Sequence, residues 1–172
     1  LYYVYLVLGV FHRESVISVF QTVLFAVRTV VDLFADPLDR MMLSARWASG
    51  LRRLAGVMEA GSDSQLAISR AWAAGAASPE HVEQLWFLLD TTDGGDILPG
   101  LQVDTDLRWS LLHRLVIIGA AGDAHIAAEL DRDDTATGRR QAAYALAARP
   151  TEQAKADAWA QTVESDELPN AL

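Results

Sequence analysis

Asp104-Thr105-Asp106-Leu107-Arg108-Trp109-Ser110-Leu111-Leu112-His113-Arg114-Leu115-Val116-Ile117-Ile118-Gly119 decides the fold class of this chain. Leu107, Leu111, Leu112, Leu115 and Ile118 return every three or four positions, the period of a helix with one buried face. Asp and Thr just ahead of that stripe supply a side-chain oxygen for an otherwise unpaired N–H of the first turn, and a second carboxylate there suits the positive end of the helix dipole. The segment predicts a helix that starts at Asp104-Thr105-Asp106 and ends near Gly119 or Gly122.

The same grammar repeats on both sides. Val16, Val19, Phe20, Val23, Leu24, Val27, Val30, Val31 and Phe34 predict a helix from Ser15 to Phe34, ended by Asp36-Pro37. A long helix follows to about Ala60, with Leu43, Trp47, Leu51, Leu54 and Met58 as its stripe and Gly61 closing it; Gly50 inside it predicts a kink or a close helix contact. Ser62-Asp63-Ser64 starts the next helix, which ends near Gly75, and Ser78-Pro79-Glu80 starts the one after. Asp93-Gly94-Gly95-Asp96 is a turn leading into a long connection over Ile97–Val103. Downstream, helices are predicted over Asp123–Arg132, from Asp134 or Thr135 to Arg149 before Pro150, from Thr151 onward, and again from Asp166. The sum is an all-α chain of about nine helices without a strand, and the pairing of neighbours predicts a HEAT- or armadillo-like helical-repeat solenoid. We take residues 1–172 as a single all-helical segment of a larger domain.

Composition narrows the function classes. With 172 residues and 51% apolar side chains the chain can bury a substantial core, and with no cysteine it has no disulfide, zinc ribbon or thiol nucleophile. A cytoplasmic setting is therefore permitted and expected. The formal charge of -9 opposes binding to phosphate backbones or anionic lipid, so neither nucleic acid nor a membrane is an expected partner. Leu1 to Phe11 is apolar, but spanning a bilayer takes about 20 such residues. We read it as a core helix of a longer polypeptide.

Chemistry is sparse. His12, His81, His113 and His125 form no His-Glu-x-x-His, the spacing that puts two imidazoles on one metal with a carboxylate beside its water. Asp104 and Asp106 could hold a cation, but capping explains them better. No nucleophile elbow, Walker loop or dinucleotide fingerprint is present. Trp47, Trp72, Trp86, Trp109 and Trp159 are expected in the core. Catalytic and metal-ligating residues are expected to be none.

Four segments carry a family resemblance: Asp104-Thr105-Asp106-Leu107-Arg108-Trp109, Gly61-Ser62-Asp63-Ser64-Gln65-Leu66-Ala67, Asp134-Thr135-Ala136-Thr137-Gly138-Arg139-Arg140 and Glu164-Ser165-Asp166-Glu167-Leu168-Pro169-Asn170-Ala171. From about residue 13 onward the chain resembles the C-terminal helical domain of actinobacterial aminopeptidase N, a zinc metalloaminopeptidase of the gluzincin kind, and is similar to the C-terminal domain of endoplasmic-reticulum aminopeptidases. The resemblance implies a hydrolase that removes N-terminal residues from peptides, with its zinc in an upstream catalytic domain of the same polypeptide. No cofactor is implied in this segment. The C-terminal domain of such enzymes roofs the active-site cavity, limits access and contacts the far end of the peptide. Arg108, Arg139 and Arg140, with Arg13 and Arg114, are the basic candidates for meeting a substrate carboxylate. Two other readings compete: a free-standing helical-repeat scaffold that binds a partner protein, and an independent enzyme whose carboxylates, such as Glu14, Asp32 and Asp104, would have to converge in the fold.

Overall fold

The computed structural model describes residues 13–164, which form eight α-helices: α1 (Arg13–Phe34), α2 (Pro37–Val57), α3 (Asp63–Gly75), α4 (Pro79–Asp90), α5 (Thr105–Ile117), α6 (Asp123–Arg132), α7 (Ala136–Ala148) and α8 (Glu152–Trp159). A π-helical turn, Ala160–Glu164, continues α8. The helices expected over Leu1–Phe11 and from Asp166 lie outside the described residues, as does His12. Among the described residues the class is all-α; extended pairing is confined to an antiparallel bridge between Asp93 and Gln102. No helix among them is long and apolar enough to cross a membrane.

The starts are where side-chain oxygens stand. Ser62, Ser78, Asp104, Thr135 and Thr151 each accept a hydrogen bond from the backbone N–H three residues on. Pro79 takes the first turn of α4, where its missing N–H costs nothing. At the other end of α5, Gly119 has φ +76 and donates its N–H to the Val116 carbonyl, the left-handed closure that a glycine allows. Two expectations need correction. α2 ends at Val57 rather than near Ala60, and the chain then turns through Gly61. Gly50 marks no close contact, since a Cβ there would meet nothing within 4 Å.

The chain divides into two compact units, Leu1–Arg46 and Trp47–Leu172. In the second, α5 is the organising helix. It packs against α3, α4 and α7 and more lightly against α6, while α7 also packs against α6 and α8. Leu107, Trp109, Leu111, Leu112, Leu115 and Val116 are all buried, so α5 is covered on nearly every side. Each such side chain contributes about 1.5–3 kcal/mol of transfer free energy. The 91–104 connection completes this core: Leu98, Leu101 and Val103 are buried, and Gly94 N–H donates to the Leu101 carbonyl at 2.7 Å. Gln65, itself buried, ties three segments together by accepting from Gly61 N–H and donating to the carbonyls of Ala55 and Pro99.

Apolar spacing overstated burial in places. Trp72 and Trp109 are core residues, Trp47 and Trp86 are half-buried, and Trp159 is exposed. Tyr144 and Leu146 of α7 are also exposed; the face of α7 that packs is made of Gly138, Ala142 and Ala145. Small residues let helices approach closely, which is why the α6–α7 contact needs no large side chain.

Candidate functional site

Asp104 and Asp106 sit at the start of α5 as cap and first-turn residue, and Arg70 faces both, its Nη2 3.6 Å and 4.0 Å from their carboxylates. A guanidinium already placed there makes a poor cation site. The paired acids are explained by capping and by Arg70.

Arg108 spends its donors inside the fold. Its Nε and Nη2 reach Glu129 Oε1 and Oε2 at 2.7 Å and 2.6 Å, and its Nη1 donates to the Leu89 carbonyl at 2.5 Å. The two side chains are 14% and 4% exposed, so this bidentate pair is shielded from water and joins α4, α5 and α6. The hydrogen bond to Glu129 pushes the Arg108 pKa up from its ordinary value, against the opposing effect of burial. Next to it, Trp109 Nε1 donates to Asp133 Oδ2 at 2.8 Å, and Thr135 Oγ1 donates to Asp133 Oδ1. Gly138 packs so tightly on Asp133 that an added Cβ would overlap its carbonyl oxygen.

Arg139 and Arg140 are exposed on α7. Arg139 pairs with Asp134 at 2.6 Å, and Arg140 donates to Thr137 Oγ1 at 3.2 Å. Arg114 donates from Nε to the Ala76 carbonyl. The side chain of Arg13 lies outside those described. The structure thus leaves Arg139 and Arg140 open to solvent and engages Arg108 and Arg114 within the core's polar contacts.

One arrangement escaped the sequence because its members are 32 positions apart: Ser49 Oγ lies 3.0 Å from His81 Nε2. Serine and histidine at that distance are the first two members of a nucleophilic triad. The rest of the geometry is against it. His81 is only 2% exposed, and its Nδ1, where an orienting carboxylate would sit, is buried without a partner. Burial pushes the His81 pKa below its ordinary value, Glu80 opposes that and Arg52 adds to it; the ring lies between Ser49 and the edge-on ring of Trp72. The other two described histidines also lie against tryptophan, His113 on Trp109 and His125 on Trp86. Each of the three described histidines thus lies against a tryptophan ring.

Among the described residues no three His, Asp or Glu side chains come together as a metal site, so these residues do not fit a zinc ion. An open groove of about 320 Å³ runs between α7 and α8, lined by Leu146, Ala147, Arg149, Ala154, Asp157 and Gln161. Arg149 in its wall is held by Asp123 through two hydrogen bonds of 2.6 Å and 2.7 Å.

A family model described as "ERAP1-like C-terminal domain" matches residues 2–172. This chain belongs to the ERAP1-like C-terminal domain family. Aminopeptidase N of Streptomyces lividans is 48% identical to it over 170 residues, which is 99% of this chain and 20% of that protein. The chain therefore spans about a fifth of the length of the curated relative it matches. Three of the four family segments hold structural residues in this fold: the Ser62 cap and Gln65, the Asp104 cap with Arg108 and Trp109, and the Thr135 cap with Gly138; the fourth, beyond Glu164, lies outside the described residues.

Proposed function

We propose that this chain is the non-catalytic C-terminal domain of a zinc metalloaminopeptidase that removes N-terminal residues from peptides, and that it covers the active-site cavity and controls access to it. The observation that carries the reading is the 48% identity to an aminopeptidase N over nearly the whole of this chain but only a fifth of that enzyme. The zinc and the reacting groups belong, on this reading, to the upstream catalytic domain of the same polypeptide. A chain without cysteine accords with a cytoplasmic setting.

The packing supports a helical-repeat role. α3, α5 and α7 are neighbours in one row, with α4 and α6 between them in sequence, and alternate contact of that kind is how stacked helical pairs build a curved wall. Within such a wall, Arg139 and Arg140 are assigned to the carboxylate end of the peptide: both are exposed and their present partners are surface groups of little energetic weight. The test is charge reversal at both positions in the full-length enzyme. The Arg139→Glu, Arg140→Glu variant is expected to shift the dependence of kcat/KM on peptide length while leaving hydrolysis of a short aminoacyl-anilide unchanged. An unaltered length profile removes these two residues from the site.

A further inference from the structure

Between residues 22 and 46 no side chain is buried, whereas among the described side chains every buried apolar residue lies at Ala48 or beyond. The exposed ones are large. Val30, Leu33 and Phe34 form one helical row at the end of α1, with Phe34 80% exposed, and Leu38, Met41 and Met42 form another at the start of α2, with the methionines 58% and 50% exposed. Helices in proteins are held by the packing of an apolar face more than by propensity, and α1 has no buried side chain among those described. Its β-branched residues, Val23, Val27, Val30 and Val31, lower that propensity further. Soluble proteins rarely leave large apolar patches in water, and helical arrays end on polar capping faces. Both rows consist of large, exposed apolar side chains.

We propose that these two rows, Val30, Leu33 and Phe34 on α1 and Leu38, Met41 and Met42 on α2, are intramolecular docking residues, covered by apolar helical faces from the upstream part of the same polypeptide. The inference rests on the function proposed above. Its occupant follows from two facts: the family is that of a C-terminal domain, and the match takes in 20% of the relative, which leaves four-fifths of that protein to supply the cover. One row ends in a wide aromatic ring, and the other carries two flexible thioethers. Met41 and Met42 adapt to an irregular apolar partner, and Phe34 offers one large insertion.

Methionine oxidation reads the surface directly. The full-length polypeptide is treated with hydrogen peroxide, native and in guanidinium, and sulfoxide at Met41 and Met42 is followed by peptide mass spectrometry, with aminoacyl-anilide hydrolysis assayed in parallel. Docking predicts oxidation about tenfold slower in the native protein than in the unfolded one, at every protein concentration. Native rates close to unfolded rates overturn the proposal. Protection that disappears on dilution assigns the cover to a second copy, and protection that survives proteolytic removal of the upstream region assigns it to the chain's own residues; either result overturns the proposal too. Exposed methionines in an active peptidase refute the docking alone, and protected methionines in a protein without peptidase activity refute the proposed function alone. A second variant, Leu38→Lys, is expected to lower the thermal midpoint of the full-length protein, and an unchanged midpoint counts against docking.

Discussion

Arg108 holds Glu129 by two parallel hydrogen bonds, 2.7 Å and 2.6 Å, in a place where the carboxylate is 4% exposed. A buried carboxylate on the inward face of α6 is tolerated because a guanidinium from α5 meets it, and the Leu89 carbonyl takes a further donor of the same group. Removing one partner leaves the other charged and desolvated. Arg108→Ala or Glu129→Ala is therefore predicted to cost about 3–5 kcal/mol in urea unfolding. The double variant Arg108→Met, Glu129→Leu is predicted to cost less than either single change, because no charge is stranded. Single variants within about 0.5 kcal/mol of the parent would mean that the pair is solvated.

His81 gives the stability a pH dependence of defined sign. Its pKa is lowered in the folded chain, chiefly by burial and further by Arg52, so around and below the ordinary value of 6.5 the unfolded chain binds a proton that the folded chain refuses. Its contribution is complete above that value and is lost as pH falls through it towards the lower folded pKa. Urea midpoints measured from pH 8 to pH 5 (values of about the range over which histidine titrates) should fall on the acid side, and His81→Gln should flatten the curve. A parent and variant with parallel curves would assign the pH dependence to other groups.

Two glycines in helices are predicted to respond in opposite directions to the same change. Gly138→Ala drives a methyl group into the Asp133 carbonyl, disturbing the contact between α6 and α7, and is expected to cost about 1–3 kcal/mol. Gly50→Ala adds a methyl where nothing lies within 4 Å and is expected to stabilise α2 by about 0.5–1 kcal/mol. Thermal unfolding of the two variants checks both, and equal shifts would refute the close approach at Gly138.

The beginnings of helices were legible because the information is local. Ser78-Pro79-Glu80 and Thr135 carry their caps within three residues of the backbone groups they satisfy. The family resemblance was legible in segments that prove to hold such local devices together with Arg108 and Gly138. Long-range pairing was not. Nothing in the neighbourhood of Ser49 announces His81, and the stripe of α6 read as Ile126 and Leu130 when Glu129 is the residue buried beside Ile126. A carboxylate is counted as surface until its partner is known, and that partner is 21 positions away. Exposure was illegible for a related reason: Tyr144 and Trp159 sit at helical spacing, but whether anything covers them depends on neighbours that periodicity does not specify. The candidate site suffers most from this, because a wall for a peptide is made of faces rather than motifs.

The most direct test of the account is peptide and aminoacyl-anilide hydrolysis by this chain alone with added zinc, beside the longer polypeptide that includes its upstream region, with metal content determined on both. The account predicts zinc and turnover in the longer polypeptide only, with this chain neither binding the metal nor cleaving the substrate. Zinc-dependent turnover by the isolated chain would contradict it.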